Sequence, residues 1–174
     1  MRDNDWLKQQ LEFLLKKYFA SAKITNPIEI KFGREAKYRF GSIRLLKSTK
    51  GTRSTKSIKG FLPNFLKARG TRDTLGARGT LKASERPAKS IITITSMFAK
   101  ESVPVAVVQY TIAHELCHYA HGFSSANKRL FKYPHHGGIV NKELSDRGAR
   151  HLTGAFKRWL KIYRQQILKG KISI

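Results

Sequence analysis

Apolar and charged residues follow a helical pattern near the start of the chain. Four apolar side chains recur three or four positions apart, with lysines between them: Leu7, Leu11, Leu14 and Tyr18. This spacing puts the four side chains on one face of an amphipathic helix, which we predict over about 5–21. The Asn26-Pro27 dipeptide that follows favours a turn.

Three further segments have the patterns of β-strands. Apolar residues alternate with charged ones over 28–33, an extended run covers 38–46, and β-branched residues dominate 90–96. Such segments favour strands that bury one face, so we predict a small sheet. The alternation in the second segment loses phase at Gly41-Ser42, where we predict a β-bulge.

A continuous apolar segment predicts a buried helix over about 103–121. Ser102 and Pro104 are residues that favour a helix start, and Gly122 is placed to end the helix. A helix that is apolar nearly all round lies in a protein core. Residues 123–138 then have the composition of a loop.

Two more helical segments close the chain. One is predicted over 139–152, and apolar residues at helical spacing follow it: Phe156, Trp159, Leu160, Tyr163 and Ile167. The order of elements predicts an α+β fold, in which the small sheet packs with the N-terminal, central and C-terminal helices. A length of 174 residues indicates a single domain over 1–174.

The segment 47–89 interrupts this order. It is rich in Lys, Arg, Gly, Thr and Ser, and Asp73 and Glu85 are its only acidic residues. A loop of this length without regular structure is uncommon in a compact domain unless it is functional or disordered. We interpret it as a mobile basic insertion that contacts substrate or nucleic acid.

The whole chain carries a large excess of positive charge. It has 35 Lys and Arg against 11 Asp and Glu, which gives a formal net charge of +24. A surface this basic favours a polyanionic partner, and nucleic acid is the most abundant polyanion in the cytoplasm. The alternative is a solvated, self-repelling surface that serves solubility alone.

Cysteine content and hydropathy limit the compartment and the class of protein. Cys117 is the only cysteine, so neither a disulfide within the chain nor a Cys-x-x-Cys zinc ribbon can form. The chain starts with polar residues, and its longest nearly apolar run, 103–113, is roughly half the ~20 residues that a bilayer requires. We expect a cytoplasmic protein, associated with nucleoid or chromatin and not with a membrane.

The segment His114-Glu115-Leu116-Cys117-His118 lies within the predicted buried helix. Histidines four positions apart lie one above the other on a helix, where both imidazoles can bind one metal ion. Zinc suits them, because a catalytic zinc site uses three protein ligands and leaves a position for water. Glu115 lies beside them and can pass a proton from that water to a leaving amine, which predicts peptide-bond hydrolysis.

The downstream residues leave the third zinc ligand open among four candidates: His121, His135, His136 and Glu143. His121 follows His118 on the same helix, and three ligands from one helix would crowd the metal. Glu143 belongs to the segment 141–146, which faintly resembles the Asn-Glu-x-x-x-Asp helix of thermolysin-type peptidases, whose glutamate binds zinc.

The segment Tyr133-Pro134-His135-His136-Gly137-Gly138 adds a family resemblance. The chain resembles the SprT-like (Spartan-like) metalloproteases, in which His-Glu-x-x-His is followed by a loop and by a His-Gly pair that opens the next helix. The resemblance covers most of the chain outside 47–89 and implies a zincin-like fold with Glu115 as the catalytic residue. It also implies three zinc ligands: His114, His118 and His136.

The chain departs from the family's pattern in three ways. The loop before the His-Gly pair is longer than expected, and the aromatic residue usually found after the pair is replaced near Ile139-Val140. The C-terminal zinc ribbon seen in many members is missing. These departures leave His135 as the alternative to His136.

The resemblance and the charge agree on the kind of substrate. SprT-like proteases include Spartan, which digests proteins crosslinked to DNA, and a net charge of +24 suits such a task. We therefore predict a zinc-dependent endopeptidase that acts on DNA-associated or DNA-crosslinked proteins. The alternatives are a nucleic-acid-binding module with structural zinc or lost protease activity, and a thermolysin-type peptidase with Glu143 as third ligand.

Overall fold

A computed structural model describes residues 1–47 and 88–170, so the predicted insertion at 47–89 lies outside the described residues except at its ends. The described residues form four α-helices, three β-strands and two short 3-10 turns at Ser96–Ala99 and His136–Gly138. In chain order, the helices and strands are α1 (Asn4–Tyr18), β1 (Ile28–Phe32), β2 (Gly41–Leu46), β3 (Lys89–Ile94), α2 (Val105–Ala120), α3 (Ile139–Asp146) and α4 (Arg150–Leu168). The predicted α+β class is confirmed.

Strand β3 is the centre of a mixed three-stranded sheet. It pairs in parallel with β1, where Ile30 lies opposite Ile92, and antiparallel with β2, where Ile43 lies opposite Ile92. Helix α1 packs against β1, and α2 packs against β2 and β3. Ile92 and Ile94 are fully buried in this layer. The sheet therefore forms one wall of the core, with β2 at an edge of the described sheet.

Helix α1 is capped and amphipathic, as its sequence indicates. The carboxylate of Asp3 accepts a hydrogen bond of 2.8 Å from the backbone N–H of Trp6, which satisfies a free donor of the first turn. The four residues of the predicted apolar stripe are all buried. The helix ends at Tyr18 and not at 21, because Phe19 leaves the helical conformation and buries its ring.

Helix α2 is buried on nearly all sides, as predicted. Val107, Val108, Ile112 and Ala113 are fully buried, and the helix packs against α1, α3 and α4 as well as the sheet. The helix starts at Val105, directly after Pro104, whose fixed φ leads the chain into the first turn. Within residues 1–47 and 88–170, neither this helix nor any other has the length and hydropathy to cross a bilayer.

The predicted β-bulge is wrong. The pairing of β2 with β3 runs without interruption from Gly41 opposite Ile94 to Leu46 opposite Lys89. The loss of alternation at Gly41 marks the beginning of the strand, because residues 38–40 precede the paired region. Phe40 instead packs its ring against Phe98.

The predicted helix over 139–152 is two helices. Helix α3 ends at Asp146, and Gly148 adopts φ 77°, a left-handed conformation that glycine favours. The backbone N–H of Ala149 bonds to the carbonyl of Leu144 at 2.7 Å, and this closes the helix end. Residues Arg150–Leu168, which include Leu152, form α4.

Candidate metal centre

Three histidines come together beside the C-terminal half of α2. His114 and His118 lie one helical turn apart, and their Nε2 atoms are 3.1 Å apart. His135, from the loop after α2, stacks on His114 with 5.3 Å between ring centroids and meets the edge of His118 at 4.6 Å. One ring nitrogen from each histidine lies within 4.8 Å of the other two. These three residues can hold a metal ion.

The spacing of the nitrogens fits a transition metal. Two nitrogens bound at about 2.0–2.1 Å to a tetrahedral zinc lie about 3.3 Å apart, close to the 3.1 Å between the Nε2 atoms of His114 and His118. The Nδ1 atoms of both rings are buried and have no hydrogen-bond partner in the described part of the chain. Each Nε2 atom can offer a lone pair to a cation placed between them, so the donor set fits a metal.

Burial keeps the two α2 imidazoles uncharged. Burial, with a smaller effect from His135, lowers the pKa of His114 to about 4. Burial, followed by the charges of His114, His135 and His121, lowers the pKa of His118 to about 3. At neutral pH both rings are therefore neutral bases, which is the form of histidine that binds metal ions.

The end of α2 directs the following loop back towards the histidines. Gly122 adopts φ 79°, and the backbone N–H of Phe123 bonds to the carbonyl of His118 at 2.9 Å. This is the Schellman ending of a helix, and it sets the Phe123 ring 6.1 Å from the His118 ring. The backbone N–H of Leu130 then bonds to the carbonyl of His121 at 3.0 Å. The loop is thereby fastened to the helix before it reaches His135.

Replacing Gly122 with alanine is expected to destabilise the fold and displace this loop. A Cβ atom at Gly122 would lie 2.4 Å from the carbonyl oxygen of Lys128, in addition to its unfavourable φ. We expect a loss of more than about 2 kcal/mol of unfolding free energy in denaturant titrations, since the conformation alone costs about 1–2 kcal/mol. Gly148→Ala is the matched control, because Gly148 has φ 77° and nothing within 4 Å. Equal losses in the two variants would show that the contact with Lys128 is unimportant.

Glu115 is a buried carboxylate next to the histidines. Glu115 is 6 % exposed, and burial raises its pKa to about 7. The nearby Arg39 cation opposes this rise in pKa. Space for the carboxylate depends on Gly41, where a Cβ atom would lie 2.9 Å from Glu115 Oε1 and 2.7 Å from the Thr111 methyl group. With a pKa near neutrality, Glu115 can both accept and release a proton.

The three histidines and Glu115 open into a cleft of about 480 Å³. One wall is the start of β2, and the opposite wall is α2, so the cleft lies between the sheet edge and this helix. The loop after α2 closes the third side with Phe123, Ser124, Pro134 and His135. Within the described part of the chain, the cleft is open to solvent.

The structure places His135, and not His136, with His114 and His118. A 3-10 turn begins at His136, and its ring lies 6.4 Å from that of Tyr133, outside the histidine group. Adjacent side chains on an irregular segment point in different directions, so the loop brings only one of the two rings to α2. The family resemblance implies His136 as the third ligand, with His135 as the alternative, and the described structure groups the alternative with His114 and His118.

The other two candidate ligands pair with each other away from the cluster. Glu143 Oε1 lies 2.7 Å from the Arg147 guanidinium, and Glu143 Oε2 lies 3.5 Å from His121 Nε2. His121 is buried, with the ring of Phe131 against it. Cys117 is buried and unpaired, and burial raises the pKa of its thiol, as expected for a cysteine that packs as an apolar side chain.

Sequence reasoning missed Gly41 and Arg39 as parts of the site. Both line the cleft, Gly41 by leaving room for Glu115 and Arg39 by placing a cation near it. The loss of strand alternation at Gly41 was the available signal, and it was interpreted as a bulge. Arg39 belongs to the basic and aromatic run 37–40, which contains no motif that points to Glu115.

Comparison with known proteins adds no family assignment to this geometry. No protein-family profile, no curated protein and no solved structure matches the chain.

Proposed function

We propose that this protein is a zinc-dependent endopeptidase of the SprT-like, zincin kind, which acts on proteins associated with or crosslinked to DNA. The observation that carries the proposal is the open cleft in which a buried glutamate lies beside three convergent imidazoles. A site that only stabilises structure needs neither a general base nor access for a polymer. Both features favour catalysis.

The roles of the residues follow from their positions. His114, His118 and His135 hold the metal, which when bound acts as a Lewis acid and lowers the pKa of water. The Glu115 carboxylate accepts a proton from the attacking water and delivers it to the leaving amine nitrogen. Because Gly41 has no side chain, there is room beside it for the Glu115 carboxylate. The Arg39 cation limits the rise in the pKa of Glu115.

The edge of β2 offers a place for the substrate main chain. Among the described strands, β2 pairs only with β3, and its first residues line the cleft beside the histidines. An extended peptide can add to such an edge through backbone hydrogen bonds, which bind any sequence. The carbonyl of Ile43 already accepts a hydrogen bond of 3.1 Å from the hydroxyl of Ser124. A substrate strand would therefore pair with β2 from this point towards Gly41. Cleavage of many different proteins follows from such binding.

Helix α4 supplies a basic surface for the nucleic-acid part of the proposal. It contains five Lys and Arg and no Asp or Glu. Four of these residues fall on one exposed face of the helix: Arg150, Lys157, Lys161 and Arg164. This basic stripe is about 21 Å long at 1.5 Å per residue, long enough to follow several phosphates. The opposite face of α4 packs its aromatic residues into the core.

The proposed activity is tested with protein purified without chelator. Metal analysis is expected to find one zinc per chain, and the protein is expected to cleave a protein crosslinked to DNA. Protein without zinc would contradict the proposal. Bound zinc with no proteolysis, in the presence or absence of DNA, would favour the alternative of a nucleic-acid-binding module whose zinc is structural.

Affinity for DNA is expected to fall steeply with salt and to depend on the basic stripe. Replacing Lys157, Lys161 and Arg164 with glutamine removes three cations, so the slope of log affinity against log salt should decrease by about 3. The measurement is fluorescence anisotropy with labelled DNA over a range of salt concentrations. The matched control replaces three lysines of α1 with glutamine: Lys8, Lys16 and Lys17. Equal losses from both triple variants would mean that α4 has no special role and that net charge alone matters.

A further inference from the structure

A second cavity adjoins the histidine cleft. Its volume is about 240 Å³, and it shares four lining residues with the cleft: Arg39, Gly41, His114 and Glu115. If a polypeptide lies in the cleft with a peptide bond beside Glu115, a side chain next to that bond lies near this cavity. The cavity therefore lies next to the reaction site proposed above.

Four of the nine residues that line this cavity, which we call the aromatic pocket, are Phe or Tyr: Tyr38, Phe40, Tyr110 and Phe156. The rings of Tyr110 and Phe156 are stacked with 4.2 Å between centroids, and Phe40 meets Phe156 edge-on at 5.9 Å. Tyr110 is buried, whereas Tyr38 is 80 % exposed and forms the rim. Ring packing therefore holds Tyr110, Phe156 and Phe40, which form the floor of the pocket, whereas Tyr38 at the rim is largely exposed.

Two hydroxyl groups of the aromatic pocket already have hydrogen-bond partners. The Thr111 hydroxyl donates to the carbonyl of Val107 at 3.1 Å, and the Tyr110 hydroxyl lies 3.4 Å from Asn141 Oδ1. Among the lining residues, only Glu115 and Arg39 carry charged side chains, and both lie on the side shared with the histidine cleft. A polar side chain that reached the aromatic side of the pocket, away from Glu115 and Arg39, would lose water without gaining hydrogen bonds, which is costly. An apolar side chain has no such cost.

The size of the pocket fits a ring. A closed apolar cavity of about 150 Å³ accommodates benzene, so 240 Å³ is sufficient for the side chain of Phe, Tyr, Leu or Met. Arg39 at the mouth can lie over the face of an aromatic ring, and aromatic walls favour edge-to-face contacts with it. These contacts favour aromatic over aliphatic side chains.

We infer that the aromatic pocket binds the side chain of a large apolar residue, aromatic by preference, next to the peptide bond that is cleaved. The inference rests on the proposed peptidase function and adds a substrate preference to it. Large apolar side chains are buried in folded proteins, so the pocket selects polypeptide that is unfolded or locally opened. Binding of the substrate main chain to β2 does not depend on the substrate's sequence. The aromatic pocket, in contrast, determines which peptide bond is cleaved.

The first test maps the bonds that the zinc-loaded protein cleaves in an unfolded protein, by mass spectrometry of the products. We expect large apolar residues to be enriched at one of the two positions that flank the cleaved bond. Peptides that differ only by Phe or Gly at that position should then differ at least about 10-fold in kcat/KM. Cleavage without such enrichment, or with equal kcat/KM, would overturn the inference and leave the proposed peptidase function intact.

Variants of the pocket and a matched control locate the preference. Tyr38→Ala changes an exposed rim residue, and Phe156→Ala opens the floor; both should reduce the Phe-to-Gly ratio to a few-fold. Phe13→Ala removes a 44 % exposed aromatic residue of α1, outside the pocket, and should leave the ratio unchanged. Thermal unfolding of Phe156→Ala shows whether it is folded. An unchanged ratio in folded Tyr38→Ala and Phe156→Ala would place the preference elsewhere.

A binding measurement keeps the inference testable if no peptide is cleaved. The same Phe and Gly peptides are titrated into Glu115→Gln protein and followed by NMR. Tighter binding of the Phe peptide by at least about 10-fold, lost in a variant that also carries Phe156→Ala, supports the pocket even without proteolysis. Equal binding of the two peptides would overturn it. Failure of cleavage alone counts against the proposed function and not against the pocket.

Discussion

Replacing His135 with alanine is expected to lower the affinity for zinc by more than about 100-fold, because loss of a group that merely supports a ligand already costs 10–100-fold. His135 is the only one of the three clustered histidines that does not come from α2, and without it two imidazoles one helical turn apart remain. It lies on an exposed loop, so its loss should not unfold the protein. Competition with a coloured chelator measures the affinity, and activity should fall with it.

The neighbouring histidine is a matched control for this prediction. His136→Ala changes the same residue type one position further along the same exposed loop, and His136 lies outside the cluster. We expect it to retain zinc with an affinity close to that of the unaltered protein. Loss of zinc from His136→Ala, with retention in His135→Ala, would reverse the assignment and agree with the ligand set that the family resemblance implies.

Replacing Glu115 with glutamine is expected to lower kcat for peptide cleavage by about 10²–10⁴-fold, without loss of zinc. Glutamine has the same shape and fits beside Gly41, but it cannot accept a proton from the attacking water. Steady-state cleavage of a peptide, together with metal analysis of the same sample, separates loss of catalysis from loss of metal. Full activity in this variant would mean that another group is the base.

The matched control for Glu115 is Glu143, a carboxylate of α3. Glu143→Gln removes the ion pair with Arg147 but changes no residue of the cleft, so zinc content and kcat should change little. This variant also tests the thermolysin-type alternative, since release of zinc would identify Glu143 as a ligand. Some loss of stability is expected, because the Glu143 carboxylate and the Arg147 guanidinium are both partly buried.

The regular elements could be predicted from sequence because each of them buries one face or, for α2, nearly all faces. The stripe from Leu7 to Tyr18 has the period of a helix, and Ile92 and Ile94 of β3 have the period of a strand; the structure confirms both. Errors occurred at boundaries such as Gly41 and Gly148, where a glycine changes the backbone conformation without a change in hydrophobic period. A glycine in the sequence indicates that the backbone conformation can change at that position. It does not indicate whether the change is a bulge, a strand start or a helix end.

The sequence by itself determined that His114 and His118 lie on one face of a buried helix with Glu115 beside them, because helical geometry follows from spacing alone. Which of His135 and His136 joins them was decided only by the tertiary structure. The loop between α2 and α3 has no period, and its path depends on the backbone bonds of Phe123 and Leu130 to the end of α2. The room that Gly41 leaves for Glu115 and the aromatic pocket beside it were likewise unpredictable, since they join residues from segments far apart in the chain. Spacing describes neighbours along one element, whereas a site also depends on how separate elements pack together.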